Sequence, residues 1–163
     1  MSAEMNFGSG VPYSIPSTPL TGIPGASDLC PGTGSTSPPC VLLVDDEEAI
    51  REVMTDLLED HNIRVLTAED GVTGVEVYRA NAADVNLVLL DLSLPGMSGE
   101  EVFRRFREIE PSVQVVLTSG YTKEEATSKF PASSLVGFVQ KPFQWTQLAT
   151  TILNYVDSAH RAA

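Results

Sequence analysis

The chain has 163 residues, of which 42% are hydrophobic, and a formal net charge of -12 from 22 acidic and 10 basic side chains. This size suits one globular domain, and the acidic balance argues against nucleic-acid binding, because phosphate backbones are held by clustered Lys and Arg. No apolar run approaches the roughly 20 residues that span a bilayer. We therefore expect a soluble, cytoplasmic protein with neither membrane nor nucleic acid as a partner.

Residues 1–40 contain seven of the 11 prolines and six of the 12 glycines, with many Ser and Thr between them. Such a segment lacks the apolar periodicity that would offset the entropy of ordering it, so we predict a disordered Pro/Gly/Ser-rich leader or linker. A docking motif around Phe7 and Tyr13 is the alternative. Cys30 and Cys40 show no metal or redox spacing and are interpreted as incidental thiols, with a disulfide or redox switch as the alternative.

The composition changes at Val41, and we assign residues 41–163 to one folded domain. Short β-branched runs alternate there with segments of helical period, a pattern typical of a parallel α/β sheet. The predicted strands are Val41–Asp45, Arg64–Ala68, Asn86–Asp91, Val113–Thr118 and Gly137–Gln140. The predicted helices are one around Ile50–Leu58 and others near Val72–Asn81, Gly99–Ile109, Thr122–Phe130 and Gln144–His160.

This order predicts five βα units in an open sheet. Right-handed crossovers between parallel strands divide the helices between the two faces of the sheet. A ligand site is then expected at the carboxyl ends of the strands.

Polar side chains follow several of these strands: Asp45 and Asp46 end the first, Asp91 the third and Lys141 the fifth. Three carboxylates at one edge of a sheet repel one another, so we expect a cation to bind there and offset the repulsion. Carboxylate oxygens are hard ligands that suit Mg²⁺, and one carboxylate could then attack phosphorus as a nucleophile. Lys141 would place a positive charge beside the phosphoryl oxygens. Taken singly, Asp46 could instead cap the first helix.

Four segments resemble response regulator receiver domains: VLLVDDEE at 41–48, LLDLSLPGMSG at 89–99, VVLTSGY at 115–121 and FVQKPF at 138–143. The resemblance covers about 120 residues, and the four segments occur in the same order as in the family. It implies a CheY-like, flavodoxin-like (βα)5 fold, five parallel strands in the order 2-1-3-4-5 with helices on both faces. It also implies two-component phosphorelay signalling, as a single-domain regulator or the receiver of a hybrid histidine kinase.

The resemblance assigns the phosphoacceptor role to Asp91, which takes a phosphoryl group from a histidine kinase or a histidine phosphotransfer protein. It implies that Asp45, Asp46, Asp91 and the backbone carbonyl of Ser93 hold Mg²⁺, with Mn²⁺ as a substitute. Lys141 contacts the phosphoryl group, and the peptide bond that follows Lys141 is commonly cis in the family.

Ser119 is implied as the second phosphoryl contact and as the switch hydroxyl, with the adjacent Thr118 as the alternative. Phe138 takes the aromatic switch position, although a plain core role is also open. Ser93 and Tyr121 occupy the positions that influence the lifetime of the phosphoryl group in this family.

The resemblance further implies a downstream protein target and a homodimer through the fourth and fifth helices. Receivers catalyse their own phosphorylation and dephosphorylation, and no separate substrate turnover is expected. Only 22 residues follow Lys141, so we expect signalling by protein contact or relay. Residues 1–40 could be a linker from a longer chain, although the first Met permits a complete protein.

Two other functions compete with phosphorylated switching. A pseudo-receiver, a constitutive interaction module, would have lost Asp91 or Lys141, and neither is lost. A hydrolase with an aspartyl-phosphate intermediate would want a DxD motif and a cap over the site, but Ser93 stands where the second acid would be.

Overall fold

The structure, a computed structural model, describes residues 37–128, 130 and 135–162, with the backbone alone for the last four. The predicted leader up to residue 36, including Cys30, lies outside the described residues. Five strands alternate with five helices along the chain. The strands are β1 Cys40–Val44, β2 Arg64–Ala68, β3 Val85–Asp91, β4 Val115–Ser119 and β5 Leu135–Gln140, and the helices are α1 Glu48–Glu59, α2 Gly71–Asn81, α3 Gly99–Ile109, α4 Lys123–Thr127 and α5 Trp145–Ala162.

The five strands form one parallel sheet in the order β2-β1-β3-β4-β5, as predicted. Every residue of β1 and β4 is buried, which agrees with the continuous apolar sequence of β1 and of the first three residues of β4. Successive side chains of a strand point to opposite faces, so each strand contributes to two cores. One core joins the sheet to α2 and α3 and includes Val44, Leu90, Leu117, Tyr78, Phe103 and Phe106. The other joins the sheet to α1 and α5 and includes Leu43, Leu89, Val116, Met54, Leu148 and Ile152.

The bounds of several elements differ from the predicted ones. β1 begins one residue earlier, at Cys40, a buried free thiol whose backbone N–H donates to Asn86 Oδ1 at 2.8 Å. β4 begins later than predicted because the N–H of Val113 donates to Glu110 in a turn instead of joining the sheet. α4 is shorter than predicted and buries only Ala126, an inner face too small to extend the helix.

In the part of the chain that the structure describes, no helix is both long enough and apolar enough to cross a membrane.

Asp70 closes the amino end of α2, and its removal should weaken the fold. Its Oδ1 accepts a hydrogen bond of 2.7 Å from the backbone N–H of Thr73. We expect Asp70→Ala to lower the free energy of unfolding by about 1 kcal/mol, measured by urea unfolding at neutral pH. Asp56→Ala, which removes an exposed acid in the last turn of α1, is the matched control and should not lower stability.

The contribution of Asp70 should also depend on pH. The backbone N–H of Thr73 holds the pKa of this carboxyl below its ordinary value of 3.8. A carboxyl with a depressed folded-state pKa stabilises the fold fully above its unfolded pKa, and the stabilisation is lost as pH falls through the folded pKa. The difference between wild type and Asp70→Ala should therefore shrink below pH 3.8. A difference that stays constant over that range would contradict the capping role.

Candidate functional site

The structure brings together the three aspartates at the carboxyl edge of the sheet. Asp91 ends β3, and Asp45 directly follows β1; both side chains are 2% exposed. Asp46 is exposed beside them, and carboxylate oxygens from all three residues lie within 4.8 Å of one another. The alternative of a helix cap for Asp46 is not supported, because Glu47 holds the N-cap position of α1 and makes no side-chain cap.

Lys141 connects these acids. Its Nζ donates to Asp91 Oδ2 at 2.7 Å, to Asp45 Oδ2 at 3.0 Å and to Glu47 Oε1 at 3.1 Å. The contact with Glu47 was not predicted from the sequence. The peptide bond between Lys141 and Pro142 is cis, as expected.

Burial and charge act in opposite directions on the pKa values of this cluster. Burial raises the pKa of Asp45 above its ordinary value, although hydrogen bonds from the Glu47 backbone and from Lys141 oppose the shift. For Lys141, burial alone would lower the pKa, but the hydrogen bonds and charges of Asp91 and Asp45 outweigh burial and raise it. Lys141 is therefore held as an ammonium ion at neutral pH, and it supplies the positive charge that the buried carboxylates need.

Backbone groups fix the direction of both buried carboxylates. The N–H of Ser93 donates to Asp91 Oδ1 at 2.9 Å, and the N–H of Glu47 donates to Asp45 Oδ1 at 2.9 Å. Arg51, which the sequence analysis assigned no role, donates from Nη1 to the Asp45 carbonyl at 2.7 Å. Each carboxylate thus has one oxygen held by its own loop and one directed at Lys141, so the site is built before any ligand arrives.

Gly99 allows the start of α3 to approach the loop that carries Asp91. A Cβ atom at Gly99 would lie 2.8 Å from the Leu92 Cα atom and 3.1 Å from the Asp91 carbonyl oxygen. We expect Gly99→Ala to destabilise the fold by about 1–3 kcal/mol, because backbone must move to relieve the overlap. Thermal unfolding measures the effect. Gly120→Ala is the matched control: nothing lies within 4 Å of a Cβ there, and equal losses in both variants would contradict the close approach.

The two predicted switch residues lie on neighbouring strands, Ser119 at the end of β4 and Phe138 within β5. Ser119 is fully buried; its Oγ accepts from the Tyr121 N–H at 3.1 Å, and its carbonyl accepts from the Lys141 N–H at 2.7 Å. Tyr121 itself is 64% exposed. Phe138 is half-buried and packs against the core under α2 and α3. This contact is compatible with the alternative of a plain core role. Thr118 is buried one residue before Ser119.

Comparison with known proteins identifies the family. A model of the response regulator receiver domain matches residues 41–153, more than half of the chain. The chain belongs to the response regulator receiver domain family. Receiver domains carry signals in two-component phosphorelays, so this receiver belongs to two-component signalling. Members of the family interact with histidine kinases and with downstream targets.

Two relatives show where such receivers are found. The receiver is 34% identical to the sensor kinase CckA of Brucella abortus over 112 residues, which are 69% of this chain but 12% of that protein. It is 32% identical to the chemotaxis protein CheY of Halobacterium salinarum over 104 residues, 64% of this chain and 85% of that protein. The match therefore spans a small part of one relative and most of the other.

A solved structure agrees on the fold. The response regulator receiver domain protein of Clostridium thermocellum superposes with a TM-score of 0.68 at 23% identity, covering 77% of this chain and 99% of that one. The CheY-like architecture expected from the sequence is confirmed.

Proposed function

We propose that this receiver accepts a phosphoryl group on Asp91 from the phosphohistidine of a histidine kinase or a histidine phosphotransfer protein. The observation that carries the proposal is the position of the Asp91 carboxylate. It is buried at the sheet edge, with Oδ1 held by the Ser93 N–H and Oδ2 held by Lys141. A carboxylate oriented in this way beside a fixed ammonium group is suited to attack phosphorus.

Mg²⁺ fits the donors that the receiver offers. Asp45, Asp46 and Asp91 supply carboxylate oxygens within 4.8 Å of one another, the hard ligands that Mg²⁺ prefers. These three residues and the backbone carbonyl of Ser93 would hold the ion, with Mn²⁺ as a substitute. When bound, the ion would neutralise charge on the carboxylates and on the incoming phosphoryl oxygens.

The transfer itself needs little more from the chain than position and charge. A carboxylate oxygen of Asp91 forms the new bond to phosphorus while the bond from phosphorus to the histidine nitrogen breaks, and the imidazole leaves with the electron pair. Lys141 stays beside the phosphoryl oxygens, and the hydroxyl of Ser119 donates a hydrogen bond to another of them.

Signalling then follows from a local rearrangement. Ser119 and Phe138 act as the switch that changes the surface formed by α4, β5 and α5, while Ser93 and Tyr121 tune the phosphoryl lifetime. That surface binds a downstream protein or a second copy of the receiver. Residues 1–40, except for Cys40 in β1, act as leader or linker to the receiver of residues 41–163, in the cytoplasm, and no separate substrate is turned over.

Removal of the metal tests this proposal. Incubation with Mg²⁺ and acetyl phosphate should add one phosphoryl group to the receiver, detected by intact mass, because the cation offsets the charge of the carboxylates. An excess of chelator should reduce the adduct to background, and added Mn²⁺ should restore it. An adduct that forms equally well in chelator would contradict the metal-dependent mechanism.

A further inference from the structure

A buried hydroxyl of the receiver lacks a hydrogen-bond partner. Thr118 is 1% exposed, and its Oγ1 is the one buried side-chain nitrogen or oxygen, within the residues that the structure describes, that makes no hydrogen bond. Leaving a buried hydroxyl unpaired is unfavourable, and buried polar groups are nearly always paired. This hydroxyl is therefore a candidate for a partner in another state of the protein.

The sheet places Thr118 next to Asp91. The two residues are direct partners in the pairing of β3 with β4, and Thr118 is paired in turn with Val139 of β5. Side chains in one such row point to the same face of a sheet. Val139 belongs to the core under α1 and α5, so Thr118 lies on that face, whereas Ser119, one residue later, points to the opposite face.

The side chain of Lys141 crosses the end of β4, the strand that carries Thr118. Its backbone N–H donates to Ser119, at the junction of β4 and β5, while its Nζ reaches Asp91 on β3. β3 and β5 are separated by β4, a span of roughly 10 Å at normal strand spacing, so the methylene chain must pass over β4. The three N–H bonds of the ammonium group already have acceptors: Asp91, Asp45 and Glu47.

We propose that Thr118 is a positioning residue for Lys141 in the phosphorylated receiver. When Asp45 binds the cation of the proposed function, on which this inference rests, the N–H that points to Asp45 loses its acceptor. Thr118 Oγ1 then accepts that hydrogen bond and keeps the ammonium group beside Asp91. Without it, the freed N–H would have Glu47 as its protein acceptor, which is 59% exposed and would draw Lys141 toward solvent, away from the phosphoryl oxygens.

The test compares the free and loaded receiver by using Mg²⁺ with beryllofluoride, an unreactive mimic of the phosphoryl group. Thr118→Val keeps the shape of the side chain and removes the hydroxyl, so the metal-free receiver should be as stable as wild type or more so. Binding of Mg²⁺ and beryllofluoride should weaken about tenfold, because a hydrogen bond to a charged group is lost. Thr118→Ser should bind within about twofold of wild type, because it keeps the hydroxyl.

Two readouts report the binding. One is the shift of the urea unfolding midpoint with ligand, and the other is the fluorescence of Trp145, the one tryptophan of the chain, which lines the same surface pocket as Lys141 and Glu47. If Thr118→Val does not fold, Thr118→Ser and Thr118→Ala provide a second pair, which differs only in the hydroxyl.

The outcomes separate this inference from the proposed function. Weaker binding in the variants without the hydroxyl, with recovery in Thr118→Ser, supports the role of Thr118. Equal binding in all variants overturns it and leaves the phosphorylation proposal intact. A wild-type receiver that binds neither Mg²⁺ with beryllofluoride nor a phosphoryl group overturns the proposed function itself.

Discussion

Asp91→Asn is expected to abolish Mg²⁺-dependent phosphorylation of the receiver while the fold remains intact. The amide lacks the charge and nucleophilicity of the carboxylate, so no acyl phosphate forms at this position. The loss of adduct should be complete in an intact-mass experiment with Mg²⁺ and acetyl phosphate. The fold should survive because Lys141 keeps Asp45 and Glu47 as acceptors, and because the amide oxygen can still accept from the Ser93 N–H.

Asp84→Asn is the matched control for this experiment. Asp84 is exposed and pairs with Arg64 at 3.4 Å on the surface, so its substitution should leave phosphorylation unchanged. Far-UV circular dichroism and urea unfolding would show that both variants are folded. A full adduct on Asp91→Asn would place the phosphoryl group elsewhere and refute the assignment of the phosphoacceptor.

Lys141→Met should produce the second large effect, a loss of stability in the metal-free receiver. Asp45 and Asp91 would then be buried near one another without the ammonium group that now lies 3.0 Å from one and 2.7 Å from the other. Removing one partner of a buried ion pair costs about 3 kcal/mol or more, because the remaining charge stays buried. Urea unfolding at neutral pH in the presence of chelator measures this loss.

Mg²⁺ should restore much of the stability that Lys141→Met loses. A cation that binds only the folded state stabilises that state, and the stabilisation grows with the logarithm of the ratio of cation concentration to dissociation constant. In the variant, no ammonium group competes with Mg²⁺ for the carboxylates. The Mg²⁺-dependent rise in unfolding midpoint should therefore be larger in the variant than in wild type. Lys123→Met, an exposed lysine on α4, is the control and should show neither effect. Unchanged metal-free stability in Lys141→Met would argue against a structural role for the cluster.

The alternation of patterns along the chain was enough to predict the five βα units. β2 and α3 were predicted at their observed bounds, because the β-branched and apolar residues of β2 and the amphipathic stripe of α3 are both local signals. The bounds of β4 and α4 were predicted less well. Their ends depend on which neighbouring strand or core surface is available, as the turn at Val113 and the small inner face around Ala126 show.

The residues of the site were predictable because strand ends of a parallel sheet converge at one edge. Once Asp45, Asp91 and Lys141 were placed at the ends of their strands, their proximity followed from topology alone. The contacts of Glu47 and Arg51 did not follow, because an acidic or basic side chain in the first turn of a helix is usually solvated. Their partners are set by where α1 packs on the sheet.

The sequence by itself thus determined the fold class, the order of its elements and the chemical type of the site, because periodicity and strand-end residues are local properties. The tertiary structure decided the hydrogen-bond partners of Lys141, the close approach at Gly99 and the unpaired hydroxyl of Thr118. These features depend on sheet register and on distances between elements far apart in the chain. Such distances are fixed only when both cores pack against the sheet.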